Sequence, residues 1–419
     1  MANPASPDGA VAVTGTILLP GTFDTKGEEY GLVRSLILDA GFGVLTMDIG
    51  VLGEAEPPFP VDIPAAEVAR AGGGSLDQLR SRRDRGSAIE VMLAGARALV
   101  RDLYRAGRFD GMLGLGGGGG TTIIAAAMRE LPVGVPKLLV STMASGNTSP
   151  YVDVKDLTLM YSVVDIAGLN PLSRRILINA AGAICGMVGR PRDPGKAEAG
   201  QPMIAATMFG VTTPCVTTAR RRLESSGFDV LVFHATGSGG RAMEGLIADG
   251  YFQAVLDVTT TEWCDEVVGG VLSAGPDRLS AAGRLGIPQV VSAGALDMVN
   301  FGPFDTVPAQ FRERNLYRHN PTVTLMRTSA SECEEIGRRI GTQLAQAQGP
   351  VTVLLPIRGV SMLDAPGQPF HDPAADRALF ESIKQHVGRR VYVQEVDAHI
   401  NDDRFAAALA DEVLNLIRS

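Results

Sequence analysis

The sequence is first informative for what it lacks. It contains no run of about 18 apolar residues, the least that spans a bilayer as a helix, so a membrane partner is not expected. The opening residues MANPASPDGA have neither the basic region nor the apolar core of a signal peptide; residues 1–10 are expected to be a frayed terminus. The four cysteines, Cys185, Cys215, Cys264 and Cys333, lie far apart with no C-x-x-C pair. That spacing fits neither a zinc site nor a disulfide framework and points to free thiols in a reducing cytoplasm. No Lys- or Arg-rich block occurs and the net charge is −8, so nucleic acid is not an expected partner. Walker (G-x-x-x-x-G-K-[ST]), G-x-S-x-G and H-E-x-x-H strings are all missing, leaving nucleophile-elbow and zinc-hydrolase chemistry without support.

What is present describes a large α/β protein. The 419 residues exceed one ordinary domain, and 45% hydrophobic with 20% charged residues suits sizeable cores. Glycine is abundant at 50 of 419, about 12% against a typical value of about 7%, and it punctuates apolar runs rather than forming a low-complexity tract. The stretch GRPRDPGKAEAGQP, residues 189–202, replaces the apolar pattern with Pro, Gly and charge. It reads as a linker between subdomains over residues 11–188 and 203–419. In each half, continuous apolar strands such as TILL, GMLGL, KLLV and AVLDV alternate with helical spacing. The expected fold class is therefore α/β, with two Rossmann-like subdomains and mainly parallel sheets covered on both faces. GTFDTKGEEYGLVRSLILDAGFGVLTMD parallels GVTTPCVTTARRRLESSGFDVLVFHATG in order, and GVPKLLVSTMASG parallels GIPQVVSAGALD. One unit, duplicated and diverged, is the simplest account.

Three loops carry the chemistry of the first half. GLGGGGGTT, with glycines at Gly116, Gly117, Gly118, Gly119 and Gly120, follows a buried strand and opens a helix. Backbone N–H groups collect at such a helix start and favour an anion. Thr121 and Thr122 are placed to cap the helix and offer hydroxyls to phosphate. The G-x-G-x-x-G within the run is uninformative, since five consecutive glycines match almost any such pattern. PGTFDTKGEE supplies Asp24 and Glu28 as candidate metal ligands and Lys26 as a phosphate-facing ammonium. STMASGNTSPYVD crowds Ser145 and Asn147 among other polar groups. In a parallel sheet all three loops fall at the carboxyl edge, where α/β ligands bind.

The second half offers HATGSGGRAMEG, another glycine-bearing strand–helix junction, and DVTTTEWCDE, which sets Glu262 and Asp265 beside the sole tryptophan, Trp263. The loop LPIRGVSMLDAPGQPFHD carries Arg358, Asp364, His371 and Asp372. Arg358 suits a carboxylate or phosphate clamp, and His371 with Asp372 suits general acid–base work. The small residues Ala180, Ala181, Gly182 and Ala183 suit close helix packing between subdomains or protomers.

These motifs, GTFDTKGEE, GLGGGGGTT, STMASGNTSPYVD, MYSVVDIAGLN, FGVTTPCV, HATGSGGRAMEG and LPIRGVSMLDAPGQPFHD, run along nearly the whole chain. Together they resemble the ATP-binding family named after the N-terminal region of the tomato mosaic virus resistance protein, with many bacterial members. The resemblance implies two α/β subdomains, a homodimer, and ATP bound with Mg2+. The family's glycine loop is usually interrupted by a serine, whereas here it is all glycine. The expected function is an ATP·Mg-binding protein, an enzyme acting on a small anionic metabolite. The alternatives are a nucleotide-independent hydrolase or lyase using His371, Asp372 and Arg358, and a non-catalytic nucleotide-sensing module.

Overall fold

A computed structural model describes residues 15–53, 57–190 and 201–418. The expected frayed terminus, and residues 191–200 of the expected linker, lie outside the described residues. The chain divides into two units between Asp193 and Pro194.

The N-terminal unit is built on β1 (Thr16–Gly21), β2 (Gly43–Asp48), β3 (Gly111–Gly116), β4 (Lys137–Ser141) and β5 (Thr158–Tyr161). All pairings are parallel, in the order β2-β1-β3-β4-β5. Alternate residues of each strand feed opposite faces. Leu18, Met112 and Leu139 enter the core beneath the helices Arg85–Arg105 and Gly118–Met128. Ile17, Leu19, Leu113, Leu115 and Val140 enter the core beneath Phe23–Asp39 and Pro171–Val188. Burial on both faces is why these strands read as unbroken apolar runs. The four-residue β5 (exposed Thr158 and Tyr161 at its ends) is an edge strand too short and too mixed to stand out in sequence.

The C-terminal unit holds β6 (Met203–Met208), β7 (Asp229–His234), β8 (Ala254–Thr259), β9 (Gln289–Gly294), β10 (Met298–Phe301), β11 (Leu316–Asn320), β12 (Val323–Arg327), β13 (Val351–Pro356) and β14 (Tyr392–Val396). Its main sheet runs β14-β13-β9-β8-β6-β7, all parallel. The first four strands of the two main sheets thus follow one order, second-first-third-fourth, in keeping with a duplicated unit. PTVTLMRT departs from the parallel scheme: its strand β12 pairs antiparallel with β10 and β11 in a separate sheet. Two glycines of the helix Ala330–Leu344 let the helix Pro373–His386 approach closely. A Cβ on Gly337 would lie 2.7 Å from the Leu379 carbonyl oxygen, and one on Gly341 2.7 Å from the His386 Cβ.

Candidate functional site

In the N-terminal unit the strand order reverses between β1 and β3, the position where open α/β sheets form their binding crevice. The β1–β3 register covers only Ile17↔Gly111 and Leu18↔Met112. Beyond it, the buried Tyr30 bridges the parting strands. Its hydroxyl donates to the Pro20 carbonyl at 2.6 Å and accepts the Leu115 N–H at 2.7 Å. Burial pushes the phenol far above its ordinary range, so the O–H is retained.

The glycine run divides into two kinds of position. Gly114 and Gly116 are required by the chain's own packing: a Cβ would come within 2.5 Å of the Ile124 Cγ2 and of the Thr121 nitrogen, respectively. Gly117–Gly120 are not. None has a positive φ, a Cβ on Gly118 would meet nothing within 4 Å, and one on Gly117, Gly119 or Gly120 would meet nothing closer than 3.5 Å. Gly117 stands at the N-cap of the helix Gly118–Met128, which has no side-chain cap. Its first-turn N–H groups therefore have only solvent or a ligand to bond.

Other residues expected around this loop have different duties. Thr121 is buried, its hydroxyl placed between the Gly116 carbonyl (3.1 Å) and the Ser141 Oγ (2.6 Å). Thr122 donates to the Gly118 carbonyl at 2.9 Å. Both hydroxyls stabilise the loop rather than facing a phosphate. The Lys26 ammonium, expected to face phosphate, instead donates to the Ile166 carbonyl. The cation that does lie beside the loop is Arg85, unanticipated from sequence: a guanidinium nitrogen is 3.6 Å from where a Gly119 Cβ would sit. Arg85 is exposed, and no hydrogen bond or ion pair engages it among the described residues.

Asp24 accepts from the Leu52 and Gly53 N–H groups through Oδ2, at 2.8 and 3.1 Å, while its buried Oδ1 has no partner. Glu28 is exposed; it is the neighbouring Glu29 that is buried, accepting the Gly168 N–H at 2.6 Å. Among the described residues no three or more His, Cys, Asp or Glu side chains gather as a metal centre, so Asp24 and Glu28 do not form a protein-built one. Ser145 is exposed, and the Asn147 Oδ1 accepts from the Ser149 N–H (3.1 Å) and Oγ (2.7 Å) in a local turn. This loop joins the glycine run through the Thr142 N–H, which donates to the Gly116 carbonyl at 3.2 Å.

The HATGSGG junction of the C-terminal unit is filled by the chain itself. Glu262 Oε1 accepts from the Gly237 and Gly240 N–H groups at 2.7 and 3.0 Å, and a Cβ on Gly240 would strike that carboxylate. Glu262 Oε2 takes the Nε of buried Arg278 at 2.7 Å, and Arg278 grips Asp257 through two bonds of 2.5 and 2.6 Å. Asp265, also buried, accepts from Asn300 and Leu272, yet burial still pushes it up to about 7.

Of the expected trio in the same unit, Arg358 and His371 line one cleft and Asp372 does not. Arg358 pairs with Asp397 through bonds of 2.6 and 2.9 Å on the surface. Asp372 caps the helix Pro373–His386, accepting from the Ala374 and Ala375 N–H groups at 3.1 Å. The carboxylate beside His371 is therefore Asp364, 3.7 Å from the imidazole Nδ1, and not Asp372. Around Asp364 lies a buried group that sequence reasoning missed. Arg327 bonds Asp376 at 2.7 Å and the Phe370 carbonyl at 2.7 Å, and Ser361 donates to Asp297 at 2.7 Å. Burial pushes Asp297 up to about 7, against the pull of Arg327. These residues come from the turn between β9 and β10, from β12, from the long loop and from a helix, so no local spacing announces them.

With the two units and their loops in place, family models account for both. The N-terminal domain of the uncharacterised protein family UPF0261 matches residues 15–193, and the C-terminal domain of that family matches residues 201–417. The chain belongs to the UPF0261 family. A UPF0261 protein of Clostridium tetani is 52% identical over 402 residues, covering 96% of this chain and 98% of that protein. One from Mesorhizobium japonicum is 50% identical, covering 94% and 97%. The ToMV resistance protein Tm-1(GCR237) of Solanum lycopersicum is 44% identical over 337 residues, 79% of this chain but 45% of the tomato protein. The resemblance read from the motifs thus holds for the family and its tomato relatives. Among the described residues no helix is long and apolar enough to cross a membrane.

Proposed function

We propose that the N-terminal unit of this UPF0261 protein binds a nucleoside polyphosphate, ATP with Mg2+, and holds its phosphates on the backbone of Gly117–Gly120. The observation that carries this reading is the set of four glycines that neither backbone conformation nor the chain's own packing requires. Glycine in an ordered segment costs about 0.5–1 kcal/mol relative to alanine. An anion drawn up against the backbone is the physical reason to keep the space clear. The helix dipole and uncapped N–H groups supply the attraction, and Arg85 adds a planar, charge-assisted donor pair. Mg2+ binds through one or two carboxylates plus substrate phosphates and waters. Asp24 and the exposed Glu28, both on the helix Phe23–Asp39 that follows β1, are the carboxylates this reading assigns to that modest requirement, Asp24 with an Oδ1 that has no protein partner. ATP rather than another polyphosphate is what the family resemblance implies, and a small anionic metabolite is the expected co-substrate.

Calorimetric titration of the full chain with ATP, with and without Mg2+, tests the proposal. Saturable, magnesium-sensitive binding is expected, weakened at least about tenfold by Gly118→Val or Arg85→Ala, a change of about 1.4 kcal/mol. An absence of saturable binding by the wild-type chain sinks it.

A further inference from the structure

The long loop of the C-terminal unit and the first turns of the helix Pro373–His386 enclose a cleft of about 720 Å³, a volume typical of small-molecule sites. Most charges lining it are already matched. Glu381 and Glu395 share the Lys384 ammonium at 2.5 and 2.8 Å, and Arg358 is held by Asp397. His399 is a fixed wall: its Nδ1 accepts the Asn401 N–H at 3.1 Å, which leaves Nε2 as donor to the Ser361 carbonyl at 2.9 Å. Two groups of the lining remain uncommitted. The Arg377 guanidinium is exposed with no partner among the described residues. The His371 imidazole has one charged partner among the described residues, Asp364 at 3.7 Å.

Beneath His371 sits a carboxyl pair. Asp364 is fully buried, accepts the Val360 N–H at 2.9 Å and hydrogen-bonds the Asp376 carboxyl. Two carboxyl groups share a hydrogen bond only when one of them keeps its proton. Burial, and then the charge of Asp364, hold Asp376 well above the ordinary carboxylate range, with Arg327 pulling the other way. Arg327 pairs with Asp376 at 2.7 Å, and this single guanidinium faces Asp297, Asp364 and Asp376 together, so the cluster holds more carboxyl groups than its cation neutralises. Acid pairs of this kind at a cleft gather at functional sites.

We propose that this cleft is a ligand site in its own right, which receives the carboxylate or phosphate of a small anionic molecule on Arg377. There it meets His371 backed by the Asp364–Asp376 pair as a proton-exchanging set. Asp376 lines the cleft while Asp364 lies behind it; a proton leaving Asp376 for the ligand leaves both carboxyls ionised, and the protonated form of His371, 3.7 Å from Asp364, restores the shared proton through Asp364. The site stands on observations independent of the glycine-rich loop.

The test uses the full chain with histidine labelled for NMR; its five histidines are assigned with His371→Gln. Succinate and inorganic phosphate are the probes, and the one that binds more tightly identifies the anion class. Either probe is expected to move the His371 signal saturably and leave that of the exposed His319 still. Arg377→Ala, a surface change with unaltered thermal unfolding, is expected to weaken that response about tenfold or more. Inorganic phosphate, which has no carboxyl group, is also expected to perturb a protonated-carboxyl infrared band that Asp376→Asn removes. The proposal is overturned if neither probe moves His371 saturably, if Arg377→Ala responds like the wild type, or if no phosphate-sensitive band depends on Asp376.

Discussion

The Tyr30 hydroxyl accepts the Leu115 N–H at 2.7 Å while donating to the Pro20 carbonyl at 2.6 Å, and so closes the sheet where β1 and β3 stop pairing. Tyr30→Phe removes the oxygen and leaves a buried donor and acceptor unmatched. The variant is expected to lose about 1–3 kcal/mol of stability, read as a lower urea midpoint with unchanged slope. A midpoint equal to the wild type would mean that water or a shifted backbone satisfies both groups.

The two kinds of glycine in the run predict opposite outcomes. Gly116→Ala drives a Cβ into the Thr121 nitrogen and is expected to cost about 1–3 kcal/mol as an overpacked site. Gly118→Ala enters open space at negative φ and is expected to stabilise the free protein by about 0.4–1 kcal/mol by restricting the unfolded chain. Comparison of the two unfolding curves checks both. Equal destabilisation would show that Gly118 is also needed by the fold.

Buried acids give stability a defined pH dependence. Asp265 and Asp297 rise from an ordinary value of 3.8 to about 7 in the folded chain. The unfolded chain therefore releases these protons first, and the folded state binds more protons across that window. Their contribution is complete below pH 3.8 and falls as pH rises, levelling off above about 7. Denaturant unfolding at pH 5, 6, 7 and 8 is expected to show this decline, and Asp297→Asn to make it shallower. A variant with the wild-type slope contradicts the assignment.

Asp372 is a helix cap. Asp372→Ala is expected to cost about 0.5–2 kcal/mol in stability and to leave the His371 response to inorganic phosphate in place. Loss of that response in a folded Asp372→Ala protein would return Asp372 to the site.

Glu262 holds two backbone N–H groups and the buried Arg278. Glu262→Ala leaves the two N–H groups and the Arg278 Nε without an acceptor, while Asp257 still pairs with the guanidinium, and is expected to cost about 1–3 kcal/mol, the penalty of buried donors left unmatched. Glu262→Gln, which keeps an acceptor and the volume, is expected to lose less. The order of the two thermal midpoints is the measurement, and a Gln variant as unstable as the Ala variant would mean that charge alone matters.

The sequence by itself determined the alternation of buried strands with helices, the repeated order of the two halves, and the seat of the glycine run between β3 and a helix. These are local matters: strand and helix periodicities and turn residues act within about ten to twenty positions. Tertiary structure decided which charges meet. Lys26 turns to a carbonyl 140 positions away while Arg85 takes the place beside the glycines. His371 finds Asp364 rather than its neighbour Asp372, because Asp372 is drawn into the unsatisfied N–H groups of the helix that it begins. Glu262 closes one glycine junction, while the run at Gly117–Gly120 stays open. Sequence proximity does not set such pairings. They follow from which strands end side by side at one sheet edge, and from the cost of leaving a buried polar group without a partner.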